Sequence, residues 1–293
     1  MNYKGMRQTE KLRELLRNPG LVAGAGAHDA LSARIVQQAG FPLCFMTGAG
    51  VSMVHGYADV GLMSVEEVVS ASRYIAEAVD IPVVADADNG YGNAINAMRT
   101  VRMFEQAGIA GIHIEDQVWP KRCGHLAGKQ VISTDEMARK IRAAVEARRD
   151  PDLLIIARTD ALALSGFDDA LRRAETYAEA GADVLFVEAP TTVAEIEAIP
   201  KALNRPCIFN YATGGGSPLL PLSRLRALRY GIILLPVQAL FAAAQAMADY
   251  LQALKTTDEP ATLDDRLIQF SEFNDLIGVT EFLALTDRYE SNP

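Results

Sequence analysis

The chain has 293 residues, 49% hydrophobic and 22% charged, long enough to bury a substantial core. Its formal charge of −9 and the absence of a Lys/Arg-rich block argue against a nucleic-acid backbone as partner. No apolar run approaches the ~20 residues of a membrane span.

Short apolar runs alternate with longer amphipathic stretches. Strands are expected at 21–25, 43–47, 82–86, 111–115, 153–158, 184–188, 207–210 and 232–235. Each is continuously apolar, as in parallel strands covered on both faces. Helical patterns lie between them, for example at 65–79, 94–106, 134–149 and 168–180. Ser133 with Glu136 three residues on reads as a capping box, and Gly108 and Gly181 as helix stops. Eight strands alternating with helices predict a (β/α)8 TIM-type barrel over 1–255. A helical C-terminal appendage is expected over 256–293. A doubly wound open sheet is the runner-up, but no G-x-G-x-x-G follows the first strand.

Three cysteines give no disulfide framework. Cys44 and Cys207 sit in strand-like runs and read as small buried hydrophobes. With no secretory h-region at the start, this predicts a reduced, cytoplasmic protein.

In such a barrel, the C-terminal strand ends converge on one mouth. Here they carry Thr47-Gly48-Ala49, Asp86 and Asp88, Glu115, Arg158, Glu188 and Asn210. A lone acid at a strand end reads best as solvated or capping. Several on one rim read as a site. Asp86, Asp88 and Glu115 supply hard oxygen ligands suited to Mg²⁺ or Mn²⁺ rather than Zn²⁺. Beside Arg158 and Asn210, such a centre would receive an α-hydroxy- or α-keto-carboxylate. The polar, glycine-bearing segment 117–129 follows strand four and suits a lid. Within it Cys123 lies near Lys121, Arg122 and His125, neighbours that favour a thiolate and make it an acid/base candidate.

The motifs Asp86-Ala87-Asp88-Asn89-Gly90-Tyr91-Gly92, His113-Ile114-Glu115-Asp116-Gln117 and Lys121-Arg122-Cys123-Gly124-His125 together resemble the isocitrate lyase/phosphoenolpyruvate mutase superfamily. Within it, they look nearest to the branch holding methylisocitrate lyase, 2,3-dimethylmalate lyase and carboxyphosphonoenolpyruvate phosphonomutase. The likeness runs from about residue 12 to past residue 236. It implies a Mg²⁺-dependent barrel, a homotetramer whose C-terminal helices swap between paired subunits, and a small 2-hydroxy or 2-keto dicarboxylate substrate. It also implies metal ligands at Asp86, Asp88 and Glu115, held directly or through water, and a general acid at Cys123. Substrate contacts are implied at Thr47, Gly48, Ala49, Asp59, Gly124, His125, Arg158, Glu188 and Asn210, with Arg158 and Glu188 also in catalytic roles.

Three departures bear on the substrate. Phe241 stands where methylisocitrate lyases carry an arginine for a distal carboxylate, Phe45 where they carry a tyrosine, and Thr213 where the family has a glutamate. Leaving a third carboxylate unpaired would cost roughly a few kcal/mol. The expected activity is therefore carbon–carbon cleavage of a 2-alkyl- or 2,3-dialkylmalate by retro-aldol chemistry. Alternatives are phosphonomutase-type P–C bond formation and decarboxylation or hydrolysis of oxaloacetate. A metabolite-binding barrel without catalysis is the non-enzymatic alternative, disfavoured by the retained metal, arginine and acid positions.

Overall fold

The computed structural model describes residues 5–18, 20–124 and 128–290. Eight strands follow one another: β1 Val22–Ala27, β2 Leu43–Met46, β3 Val83–Asp86, β4 Gly111–Glu115, β5 Leu154–Thr159, β6 Val184–Val187, β7 Cys207–Asn210 and β8 Ile232–Leu235. Each pairs in parallel with the next, and β1 also pairs with β8, so the sheet closes into a barrel. The predicted (β/α)8 architecture is therefore the observed one, with strand ends differing by one or two residues.

The helices are α1 Gln8–Arg17, α2 Ala30–Gln38, α3 Gly48–Val54, α4 Val65–Glu77, α5 Ala94–Gln106, α6 Thr134–Ala147, α7 Leu162–Ser165, α8 Phe167–Glu179, α9 Val193–Ala202 and α10 Leu222–Ala227. Beyond the last strand come α11 Gln238–Thr256, a 3₁₀ turn at Pro260–Arg266, α12 Phe270–Ile277 and α13 Val279–Glu290. Gly108 and Gly181 follow α5 and α8 with φ of 81° and 107°, as the stop signals require. Ser133 caps α6 by accepting from the Glu136 amide at 3.2 Å. The return half of that box does not form there. A complete box closes α4 instead, with Ser64 and Glu67 bonded reciprocally.

Alternation along each strand separates two cores. Inside the barrel, Leu43, Phe45, Val84, Leu154, Ile156, Val184, Phe186, Ile208, Ile232 and Leu234 pack together, with Leu12 of α1 closing the bottom. Outside, residues such as Cys44, Met46, Ile155, Leu185, Cys207 and Ile233 face the helix ring. Cys44 and Cys207 are buried and unbridged, as expected of small core hydrophobes.

Two compact units are distinguished, Met1–Ala239 and Leu240–Pro293. Nearly all of α11 thus groups with the C-terminal helices, whereas the sequence boundary at 255/256 placed it with the barrel. The helix is continuous with the polypeptide leaving β8, so no turn or glycine signal marks the change of unit. Among the described residues, α11, α12 and α13 contain no buried side chain.

Candidate active site

The site grows from the C-terminal ends of β2 to β7. Thr47 follows β2 directly and caps α3, its Oγ1 accepting from the Gly50 amide at 3.2 Å. Gly48 then lies against Asp86: a Cβ at Gly48 would stand 2.6 Å from Asp86 Oδ2. Ala49 is half-buried in the first turn of α3.

The Asp86–Gly92 turn is tightly wound. Asp88 and Tyr91 adopt φ of 46° and 57°, left-handed values that non-glycine residues rarely hold. Asp86 Oδ1 accepts from the Asp88 amide at 2.9 Å and lies 2.8 Å from His113 Nε2. His113 stacks on Phe45 and meets Phe186 edge-on, with ring centroids 5.8 and 5.7 Å away. The apolar barrel interior thus reaches directly beneath Asp86.

Lys121 is buried between two acids. Its Nζ hydrogen-bonds Asp59 and lies 2.8 Å from Asp88 Oδ1. Sequence proximity suggested that Lys121 would favour a Cys123 thiolate; in the fold its charge answers Asp59 and Asp88. The Cys123 amide also donates to the Asp59 carbonyl at 3.2 Å, fixing the thiol-bearing turn to the 55–64 loop.

Arg158 forms the other half of the site. Its Nε lies 2.9 Å from Asp160 Oδ2, 3.4 Å from Glu115 and 3.6 Å from Glu188. Asn210 Nδ2 donates to both Glu188 oxygens at 3.1 and 3.3 Å. Gly124 crosses directly above: a Cβ there would sit 2.4 Å from Arg158 Nη2 and 2.7 Å from Glu188 Cγ. Only glycine lets the backbone approach so closely.

Buried charge sets the titration of these groups. Burial favours neutral Arg158, but Asp160, Glu188 and Glu115 override it and keep the guanidinium charged. Burial would also raise Asp86, yet His113, Lys121 and Arg158 hold it far below the usual carboxylate range. Glu115 is pushed well up by burial, aided by Asp160 and Asp86, and Asp88 rises by burial despite Lys121.

The expected trio Asp86, Asp88 and Glu115 does not close into a three-ligand set. Among the described residues, no three His, Cys, Asp or Glu side chains are grouped to hold a metal ion. The reason is local: Asp86 leans on His113, Asp88 on Lys121 and Glu115 on Arg158. Yet Glu115 Oε1 is buried with no hydrogen-bond partner among the described residues, and Asp88 Oδ1 has only the ion-pair approach of Lys121. Magnesium characteristically takes one or two carboxylates and keeps several waters. The donor set fits that style of binding, and a cation would relieve the two carboxylates that burial raises.

The structure thus brings Asp59, Asp86, Asp88, Glu115, Arg158, Glu188, Asn210, Gly124 and the Cys123 backbone to one mouth. Thr47 and Gly48 border it. His125 lies outside the described residues. Sequence reasoning missed the counter-charge roles of His113, Lys121, Lys129 and Asp160. A count of acids against bases on the strand ends would have signalled that such partners were needed.

A closed barrel with buried acids, an arginine and a cysteine-bearing segment at its C-terminal mouth has the construction of an enzyme. The chain belongs to the phosphoenolpyruvate phosphomutase family, whose model matches residues 12–255. It is 44% identical over 285 residues to a 2,3-dimethylmalate lyase of Eubacterium barkeri, covering 97% of this chain and 99% of the relative. It is 40% identical over 286 residues to the chloroplastic carboxyvinyl-carboxyphosphonate phosphorylmutase of Arabidopsis thaliana, covering 96% and 84%. Among solved structures, a phosphonopyruvate hydrolase in complex with oxalate and Mg²⁺ superposes with a TM-score of 0.89 at 30% identity, covering 97% and 99%.

Proposed function

We propose that this protein, a carbon–carbon lyase of the family, cleaves a 2,3-dialkylmalate or 2-alkylmalate to an α-keto acid and a carboxylate, with Mg²⁺ as cofactor. One observation carries the reading: Arg158, Glu188 and Asn210 are locked together directly beneath the Cys123–Gly124 turn. The near end-to-end similarity to a 2,3-dimethylmalate lyase supports the substrate class.

Asp86, Asp88 and Glu115 would hold the cation, directly or through water, with Mn²⁺ as a substitute. When bound, it supplies charge stabilisation for oxygen atoms that become negative during the reaction. Arg158 binds the substrate's α-carboxylate by charge-assisted hydrogen bonds. Glu188, held by Asn210 and Arg158, takes the proton of the C2 hydroxyl. The C2–C3 bond then breaks, its electron pair going to C3 beside the second carboxylate, and C2 becomes the keto carbon. Cys123 donates its proton to C3, completing the product carboxylate. Phe45 offers no hydroxyl near the reacting oxygen, and Phe241 replaces the arginine that would answer a third carboxylate. Both favour alkyl-substituted malates over a tricarboxylate.

The assembly follows from the resemblance: a homotetramer with exchanged C-terminal helices. It is supported by Phe270, Phe282 and Tyr289, which are 82%, 64% and 73% exposed in the single chain. A cytoplasmic setting is supported by cysteines without bridges, and no described helix is long and apolar enough to cross a membrane.

The test is turnover of 2,3-dimethylmalate, methylisocitrate, oxaloacetate and phosphonopyruvate with Mg²⁺, read as keto-acid release. The proposal expects the dialkylmalate to give the highest kcat/KM. A preference for methylisocitrate or oxaloacetate would replace it with the corresponding reading, and a preference for phosphonopyruvate would move the chemistry to phosphorus–carbon bonds.

A further inference from the structure

Lys129 takes no part in the chemistry above, yet it is one of the most deeply enclosed cations of the chain. Its side chain is 3% exposed, and its partner Asp160 is wholly buried. The Nζ donates to two groups at once: Asp160 Oδ1 at 2.9 Å and the Gly124 carbonyl at 2.5 Å. Gly124 is the residue that crosses Arg158 and Glu188. Asp160 is the residue that grips Arg158, at 2.9 Å to Nε and 3.1 Å to Nη2. A single ammonium therefore joins the thiol-bearing turn to the carboxylate-binding arginine.

Asp160 is itself immobilised. Its amide donates to Asp116 Oδ1 at 2.9 Å. Asp116 Oδ2 accepts from Thr159 at 2.7 Å, Tyr177 at 2.8 Å and Arg173 at 3.2 Å. The base of the segment is pinned too. Gln117 bridges Val131, and the Val118 amide donates to the Gln130 carbonyl at 2.8 Å. Lys129 thus projects from an anchored stem toward an anchored acid, and the backbone it holds by direct contact is the Gly124 carbonyl.

We propose that Lys129 is a positioning residue: it fixes the Cys123–Gly124 turn over the bound substrate and, through Asp160, sets the orientation of Arg158. A buried lysine that only neutralised Asp160 would need no carbonyl partner on the thiol-bearing turn. The shared ammonium makes proton delivery and carboxylate binding depend on one geometry, and misplacement by about 1 Å at a reacting group can cost about 10²-fold in rate. The inference rests on the lyase reading for the identity of the reacting groups, but the contact itself does not.

The experiment compares wild type, Lys129→Met and Lys129→Arg in the full-length protein. Amide hydrogen exchange is followed for peptides covering 117–124 and 128–130 with Mg²⁺ and oxalate, alongside kcat and KM on the best malate. Lys129→Met is expected to speed exchange in those peptides by about tenfold or more, with β4 and β5 unchanged. It should lower kcat by about 10²-fold, more than it raises KM. Lys129→Arg, which keeps the charge and the donors, should recover part of both. Unchanged exchange in the segment, or faster exchange spread evenly through the barrel, would overturn the positioning role. If wild type cleaves none of the malates while Lys129→Met still loosens the segment, the lyase reading falls and the latch stands.

Discussion

At the scale of single residues, the mouth is a ledger of buried charge. Asp160 is the clearest case. Burial alone would raise it, but Arg158 and Lys129 bring its pKa from the ordinary 3.8 to about 2. A depressed carboxylate stabilises the fold above its unfolded pKa and loses that contribution as pH falls through the folded value. Asp160→Asn, which takes the carboxylate from buried Lys129 and leaves Arg158 with Glu115 and Glu188 at longer range, should cost about 3–5 kcal/mol near neutral pH. Urea midpoints should converge for the two proteins as pH drops from about 4 toward 2, and a gap that stays constant with pH would contradict the assignment. Cys123 is tested by chemistry rather than stability. Cys123→Ser replaces the thiol with a much weaker acid, so kcat should fall about 10²–10⁴-fold while oxalate binding, measured by calorimetry, changes little. Near-wild-type turnover would remove Cys123 from the proton-transfer step.

Among the elements, the strands were legible and the smaller helices were not. Continuous apolar runs such as Ile232–Leu235 announce parallel strands buried on both faces, and each lands within two residues of its predicted position. The short helices α3, α7 and α10, of four to seven residues, were not foreseen, because fewer than two turns give no readable periodicity. The site was legible as a set of residues on strand ends, since topology alone sends those ends to one mouth. Its pairings were not: which cation answers which acid depends on backbone approach, as at Gly124 over Arg158. The same dependence shows in β1, whose sequence Val-Ala-Gly-Ala-Gly-Ala is almost all small residues. A Cβ at Gly26 would come 1.9 Å from the Pro236 carbonyl oxygen, a backbone atom with no rotamer to yield. Gly26→Ala should destabilise by about 3 kcal/mol or more, at the upper end of overpacking costs. A urea midpoint within error of wild type would refute that reading of the β1–β8 seam.

For the whole molecule, activity should depend on a divalent cation. Dialysis against EDTA should abolish turnover, Mg²⁺ or Mn²⁺ should restore it, and Asp88→Ala should weaken metal affinity in calorimetry. Full turnover in a metal-stripped sample would exclude the cofactor.

The seam between β1 and β8 also has a consequence for how the molecule is made. Val22–Ala25 pairs with Ile232–Leu235, so the first strand gains its second neighbour from the last. During vectorial synthesis, β2 can line up beside β1 at once, but the other flank of β1 stays an open row of amides and carbonyls until β8 leaves the ribosome. Such an edge is a template for intermolecular pairing. Until then the growing sheet keeps two open edges, the outer flank of β1 and the free side of its newest strand. Release of β8 converts an open, association-prone sheet into one without edges, so the final stretch of the barrel sequence acts as the fold's own chaperone.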